Sequence, residues 1–232
     1  MIDLPERNAG SEAAALQPGA SVCACGRLDP GDAGACEGGA IMRWSRTAKM
    51  PTAYGTFNMR AFQDREGREH AVLFQGEMAG KSLVPVRVHS ECLTSEVLGS
   101  LRCDCKTQLD MALAHIAAQG IGMLIYLRQE GRGTGLLSKI DAYALQDTGL
   151  DTVEAGDALG VPVDARTYEL AGEVIRLFGI QSISLLTNNP AKFEALRQQG
   201  VVVAHRTPML SEPNEFNDAY LRAKKSKMGH VF

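Results

Sequence analysis

A chain of 232 residues is long enough for one large domain with an appendage. Its hydrophobic share of 45% and charged share of 22% are ordinary for a globular protein with a sizeable core. The formal net charge of -3 excludes a global electrostatic attraction to nucleic acid, so an anionic ligand must be held by locally placed Arg and Lys.

Residues 1–47 mix Gly-Gly, Pro-Gly and Asp-Pro-Gly pieces with short Ala runs and keep no helical or strand period. That composition predicts a disordered or weakly ordered extension. It also implies that a chain starting at Lys49 should fold and keep its activity. From Met50 the pattern changes. Tyr54 to Phe62, Ala71 to Gln75 and Leu83 to Val88 read as strands, with a turn over 76–80 between the last two, an antiparallel start.

After Cys105, helix and strand alternate. Leu109, Ala112, Leu113 and Ile116 recur at helical spacing and Gly120 follows as a stop. Ile121 to Leu127 is nearly continuous in apolar residues, the mark of a strand buried on both faces. Leu137, Ile140 and Ala144 predict the apolar stripe of a second helix. Leu170, Val174, Leu177 and Phe178 predict a third, ending at Gly179. Ser182 to Leu186 reads as a strand, Ala191 to Gln198 as a helix and Val201 to Ala204 as a strand. The fold class expected is α/β, a mixed sheet with flanking helices. A catalytic domain over 48–210 would then be followed by a polar, basic tail over 211–232, with a helix near Asn217 to Lys225. No apolar run approaches a bilayer span, and Met1 to Leu4 open no basic-then-apolar signal, so a cytoplasmic location is expected.

The sharpest local feature is Cys92, ten residues, then Cys103-Asp104-Cys105. Three converging thiolates suit zinc, and three protein ligands leave a fourth position open, as in catalytic sites. The plain alternative is three buried free cysteines acting as small hydrophobes. The charged flanks Arg102, Asp104 and Lys106 argue for metal. A second group, Cys23, Cys25 and Cys36, repeats the spacings in reverse order, but sits where no folded scaffold is expected to fix ligands. His89-Ser90-Glu91 raises a rival, because zinc nucleobase deaminases pair H-x-E with P-C-x-x-C. Here the second half is Cys-x-Cys with no preceding proline, and the three-cysteine site ranks above it.

Several longer motifs resemble the GTP cyclohydrolase II family. They are Arg87-Val-His-Ser-Glu-Cys-Leu-Thr94, Ser100-Leu-Arg-Cys-Asp-Cys105 and Arg128-Gln-Glu-Gly-Arg132. Further matches are Ala142 to Asp147, Asp151 to Ala155, Leu186-Thr-Asn-Asn-Pro190 with Lys192, and the ending Lys227-Met-Gly-His230. The motifs run in one order over about residues 50 to 232 and leave the extension out. The resemblance implies an enzyme that opens the imidazole ring of GTP, releases C8 as formate and releases pyrophosphate. Its product would be the diaminopyrimidinone ribosylamino phosphate that starts riboflavin synthesis.

Carried over by position, the resemblance implies Cys92, Cys103 and Cys105 as zinc ligands. It implies nucleotide contacts from Arg87, Val88, His89, Ser90, Glu91 and Gln108. Glu130, Gly131 and Arg132 would follow, then Thr152, Thr187 and Lys192. Arg132 and Lys192 have the chemistry to hold phosphate, and Glu130 or Gln108 to pair with a guanine edge. Tyr143 stands in a position implicated in the ring chemistry. Asp164 and Arg166 match the pair assigned as proton acceptor and nucleophile for the phosphate step. A guanidinium with a pKa above about 12 leaves stabilisation of phosphoryl charge as the alternative role for Arg166.

Three positions depart from the family pattern: Thr134 where an apolar residue is usual, Gly156 for Asn, and Asp141 for a basic residue. Magnesium is expected with the substrate triphosphate, and the enzyme is expected to be a homodimer. Two other functions compete. One is a ring-opening relative that stops at a formamide or takes another nucleotide. The other is a nucleotide-binding protein without catalysis, against which the retained Tyr143, Asp164 and Arg166 count.

Overall fold

A computed structural model describes residues 39–217. It is a mixed α/β fold in which one eight-stranded sheet carries helices on both faces. The chain opens with strands β1 (Ile41–Trp44), β2 (Ala48–Thr52), β3 (Gly55–Asp64) and β4 (Glu69–Gln75), all paired antiparallel. Then come β5 (Val84–Ser90), the short helix α1 (Leu93–Glu96), α2 (Cys105–Gln119) and β6 (Gly122–Leu127). A 3-10 turn over Glu130–Gly133 leads to α3 (Leu136–Asp147) and α4 (Thr152–Leu159). The chain continues through α5 (Glu169–Leu177), β7 (Ile183–Leu186), α6 (Pro190–Gln198) and β8 (Val203–Thr207).

The sheet order is β1-β3-β4-β6-β5-β7-β8, with β2 on the free stretch of β3. β4 and β6 pair antiparallel, whereas β6, β5, β7 and β8 are parallel. The antiparallel half therefore joins the parallel half between β4 and β6. From β5 the chain passes to β6 on one side and later to β7 on the other. That divergence opens a crevice at the carboxyl ends of the parallel strands, where ligands bind in open α/β sheets.

Side-chain alternation assigns the layers. In β6, Met123, Ile125 and Leu127 enter one core with Val72, Val86, Ile183 and the apolar face of α5. Leu124 enters a second core with Phe57 and with Ala112 and Ile116 of α2. Burial on both faces explains the unbroken apolar run of this strand. In β5 the same alternation sends Val84, Val86 and Val88 into the first core. Arg87 and His89 point to the other face and are buried.

One expectation needs correction. Ile41–Trp44 falls within the segment expected to be a disordered extension, yet it is a strand. Trp44 is 1% exposed, and its ring lies 4.9 Å from that of Phe62. Glu173 of α5 accepts from the Ala40 amide at 2.6 Å, which fastens the strand to the far side of the core. The single Trp in a Gly-rich context shows no period to read, so the strand was invisible in the sequence. The expected second helix forms as α3, and there Leu137 is 84% exposed and Ile140 47%, with no residue of the helix buried. Its apolar spacing does not mark a core stripe. The expected strand over Val201 to Ala204 lies slightly later in the chain, as β8.

The helix α4 starts at a capping box. The Asp151 side chain accepts from the Val153 and Glu154 amides, and the Glu154 side chain accepts from the Asp151 amide. The tail helix expected near Asn217 to Lys225 and the Lys227–His230 motif extend outside the described residues, as do Cys23, Cys25 and Cys36. No helix among the described residues is long and apolar enough to cross a membrane.

A chain beginning at Lys49 removes β1 and uncovers Phe62, so it should unfold at clearly lower denaturant than a chain beginning at residue 38. Trp44→Ala in the full chain should cost about 3–5 kcal/mol in urea unfolding. Equal midpoints for the two truncations would show that β1 contributes nothing.

Candidate active site

The crevice is lined by the loops that follow β5, β6 and β7 and by the segments that return over them. The end of β5 supplies Arg87, His89, Ser90 and Glu91 to one pocket, and Cys92 follows as the residue before α1. Cys103 ends the next loop, and Cys105 is the first residue of α2. Their sulfurs lie within 4.8 Å of one another, and Cys92 and Cys103 are 3.6 Å apart. Tetrahedral zinc with Zn–S bonds of about 2.3 Å needs sulfurs roughly 3.8 Å apart. The donor set, its spacing and its edge on an open pocket fit a metal with a free coordination position. Among the described residues this is the one group of three that fits a metal. His89 is not in it, which removes the H-x-E deaminase arrangement.

Charge around the sulfurs favours thiolate at Cys92. Hydrogen bonds from Cys103 and Cys105 push its pKa far below that of a free thiol, while the same bonds raise Cys105. Lys139 of α3 lies 3.1 Å from the Cys92 sulfur and 2.8 Å from Glu130. Burial alone would lower the Lys139 pKa, but Glu130 and Cys92 together raise it, so the ammonium is held charged. Glu130 also accepts from the Leu93 amide at 2.6 Å and the Gly131 amide at 2.7 Å. The sequence reading missed Lys139. Its signal was its place one turn before Tyr143, an i,i+4 pair on one helix face. The Tyr143 ring has the Arg102 guanidinium 4.9 Å and the Lys139 ammonium 5.9 Å from its centre.

A cationic wall faces the sulfurs. Arg87 donates to the Leu186 carbonyl at 2.9 Å and to Gln108 at 2.7 Å, and its Nε is buried without a partner. Burial lowers its pKa to about 10. Lys192, buried in α6, donates to the Val88 carbonyl at 2.8 Å. Burial, then the nearby Arg87 and Arg166, push its pKa well below that of a free lysine. Thr187 and the Asn189 cap of α6 shape the loop between β7 and α6.

Arg132 and Arg166 come from loops that are locked together. Gly131 and Arg132 both adopt left-handed backbone, with φ of 61° and 58°. A non-glycine residue there carries strain of order 1–3 kcal/mol. The Arg132 carbonyl accepts from the Ala165 amide at 2.9 Å. Gly133, at φ 88°, packs so closely that a Cβ would sit 3.0 Å from the Ala165 carbonyl. Asp164 accepts two hydrogen bonds from the Arg166 guanidinium. Burial would raise the Asp164 pKa, but Arg166 outweighs it and the net shift is downward.

Of the residues expected from sequence, all but two line this one pocket. Gln108, Thr152 and Tyr143 reach it from three helices. Val88 is the first exception, buried in the opposite core, where only its carbonyl serves the site. Asp164 is the second, and acts behind Arg166. Of the departures, Thr134 lines the pocket and ties its hydroxyl to the Gly131 carbonyl at 2.7 Å. Gly156 also lines it, while Asp141 is exposed.

Fold and site together define a mixed-sheet α/β enzyme with three cysteines that could hold a metal, opening on a cationic pocket. The GTP cyclohydrolase II family profile matches residues 43–208. A GTP cyclohydrolase-2 of Picrophilus torridus is 52% identical over 185 residues, covering 80% of this chain and 96% of that protein. The Salmonella typhimurium GTP cyclohydrolase-2 is 50% identical over 185 residues, covering 79% and 94%. One from Neisseria meningitidis is 45% identical over 191 residues, covering 82% and 97%. The chain belongs to the GTP cyclohydrolase II family and is an enzyme of that kind. A two-domain 3,4-dihydroxy-2-butanone 4-phosphate synthase from A. baumannii overlaps at a TM-score of 0.41 and 20% identity, over 71% of this chain and 39% of that one. That overlap decides nothing about fold or function.

Gly133→Ala strains the backbone and forces the Arg132 and Arg166 loops apart. Displacing a catalytic group by about 1 Å costs roughly a hundredfold in rate, so turnover should fall by that order while thermal unfolding shifts little. Unchanged steady-state kinetics would show that the two loops need not touch.

Proposed function

We propose that the pocket binds GTP, and that the enzyme opens its imidazole ring with release of formate and cleaves the triphosphate with release of pyrophosphate. The observation that carries this reading is the meeting of three sulfurs with Arg87, Arg132, Arg166 and Lys192 in one pocket. Ring hydrolysis and phosphate cleavage need an activated water at C8 and cations at phosphorus, two separate centres in one ligand.

Zinc bound by Cys92, Cys103 and Cys105 would supply Lewis-acid activation of water at neutral pH. The chain's own groups do the remaining work. Purine C8 is a formamidine-like carbon, so water adds there, the C8–N9 bond breaks, and a second water hydrolyses the formamide to formate. Tyr143 lines the same pocket and would hand a proton to the nitrogen that departs as the formamide is hydrolysed. Glu130 is held by two amides and Lys139, and its fixed carboxylate presents an acceptor to the guanine edge.

On the other side, water adds to the α-phosphorus and the α–β electron pair leaves with pyrophosphate, the developing charge being neutralised by Arg166. Asp164 aims it. Lys192 and the unpartnered Arg87 Nε face the same need. Burial and mutual repulsion disfavour their charge, and an arriving triphosphate reverses both effects. Magnesium would pair with the triphosphate oxygens. The product would enter riboflavin synthesis.

Parallel quantitation of formate and pyrophosphate tests the reading. Protein purified without added metal should carry one zinc per chain, and Cys103→Ser should lose both zinc and formate release. Arg166→Ala should suppress pyrophosphate release by about a hundredfold or more, the scale of losing one charge-stabilising donor, with zinc retained. Tyr143→Phe should keep pyrophosphate release and accumulate a formamide. If Arg166 clamps charge, Arg166→Lys retains part of the activity; if it is a nucleophile or a bidentate fork, Lys fails like Ala. Formamide without formate from the parent enzyme would favour the relative that stops after ring opening.

A further inference from the structure

Glu96 belongs to no expected site residue, yet it is buried beside the pocket on α1. Its side chain is 6% exposed and that of His89 is 2% exposed. One carboxylate oxygen lies 2.7 Å from His89 Nε2, and the other accepts from the Tyr126 hydroxyl at 2.6 Å. The imidazole also stacks on the Tyr126 ring, with centroids 5.7 Å apart and planes 19° apart.

We propose that Glu96 is a positioning residue: it fixes His89 in the tautomer that accepts from Arg87, and thereby holds the Arg87 guanidinium in the pocket wall. A carboxylate offers only acceptors, so the nitrogen facing it must carry the proton. Burial lowers the His89 pKa to about 4, which leaves the ring neutral with a lone pair on Nδ1. That nitrogen lies 3.5 Å from an Arg87 amino group, which on its other side donates to Gln108. The opposite tautomer would set an N–H against the guanidinium and a lone pair against the carboxylate. Both ring nitrogens are therefore engaged within the protein. The role assigned to His89 changes accordingly, from nucleotide contact to support for Arg87. Second-layer partners of this kind set ring orientation in many sites.

The functional half of this inference rests on the reading of the pocket as a GTP site; the tautomer half does not. The test uses the full zinc-loaded chain with 15N-labelled histidine, His89 being identified as the signal lost in His89→Gln. The free parent should show His89 protonated at Nε2 alone. Glu96→Met should shift it toward the Nδ1–H form and raise the KM for GTP about tenfold, the scale of a hydrogen bond to a charged group. Zinc content should stay and kcat should change less than KM. Glu96→Gln keeps an acceptor for Nε2–H and should restore the tautomer and most of the affinity. Tyr126→Phe keeps the carboxylate and should preserve the tautomer. An unchanged tautomer or an unchanged KM in Glu96→Met overturns the proposal. If Glu96→Met fails to fold, a shifted tautomer in folded Glu96→Gln or Tyr126→Phe overturns it and a preserved one supports it. A parent protein that shows the tautomer but does not bind GTP would overturn the pocket reading instead.

Discussion

Burial of the Arg87 guanidinium is the constraint on which the site depends. A cation taken out of water must be matched by acceptors or it destabilises the fold. The partners of Arg87 come from three elements: the end of β7, helix α2 and its own strand through His89. The guanidinium can be satisfied only when β5, β7 and α2 are all in register. Lys192 repeats the logic, since its ammonium reaches across from α6 to the Val88 carbonyl. The cations that line the pocket are thus also joints between layers, and the fold cannot relax without moving them.

The charge distribution follows from the same arrangement. Arg87, Arg166 and Lys192 lie close enough to oppose one another, and Lys192 bears the cost as a depressed pKa. The cysteine sulfurs share the pocket with them, the Lys139 ammonium lying against Cys92 and the Glu130 carboxylate pairing with that ammonium. A ligand that is anionic at one end and carries an electrophilic carbon at the other fits this polarity end to end. Beside the left-handed pair Gly131 and Arg132, the Arg132 carbonyl accepts from the Ala165 amide and Gly133 packs against Ala165, which ties the Arg132 loop to the Arg166 loop.

Much of this was legible in the sequence because the signals are local. The apolar run of β6, the glycine stop after α2 and the three-cysteine spacing each describe a few neighbouring residues. The capping box at Asp151 and Glu154 was equally visible, although no helix was read from it. What escaped depends on distant partners. Trp44 becomes core only because Phe62 and Phe178 close over it. The stripe of Leu137 and Ile140 has helical spacing, but among the described residues no element buries it. Lys139 and Glu96 are unremarkable in sequence and acquire meaning from a sulfur and an imidazole that the fold brings to them.

The position of β1 has a practical side. This strand ends the sheet at the edge away from β8, three strand spacings from β6, or about 14 Å. Glu173, which fastens it, belongs to the helix on the core face opposite the Arg87 side of β5. A change that unpairs the tryptophan strand therefore acts first on the β3 edge and on α5, and reaches the pocket lining only through the sheet between them.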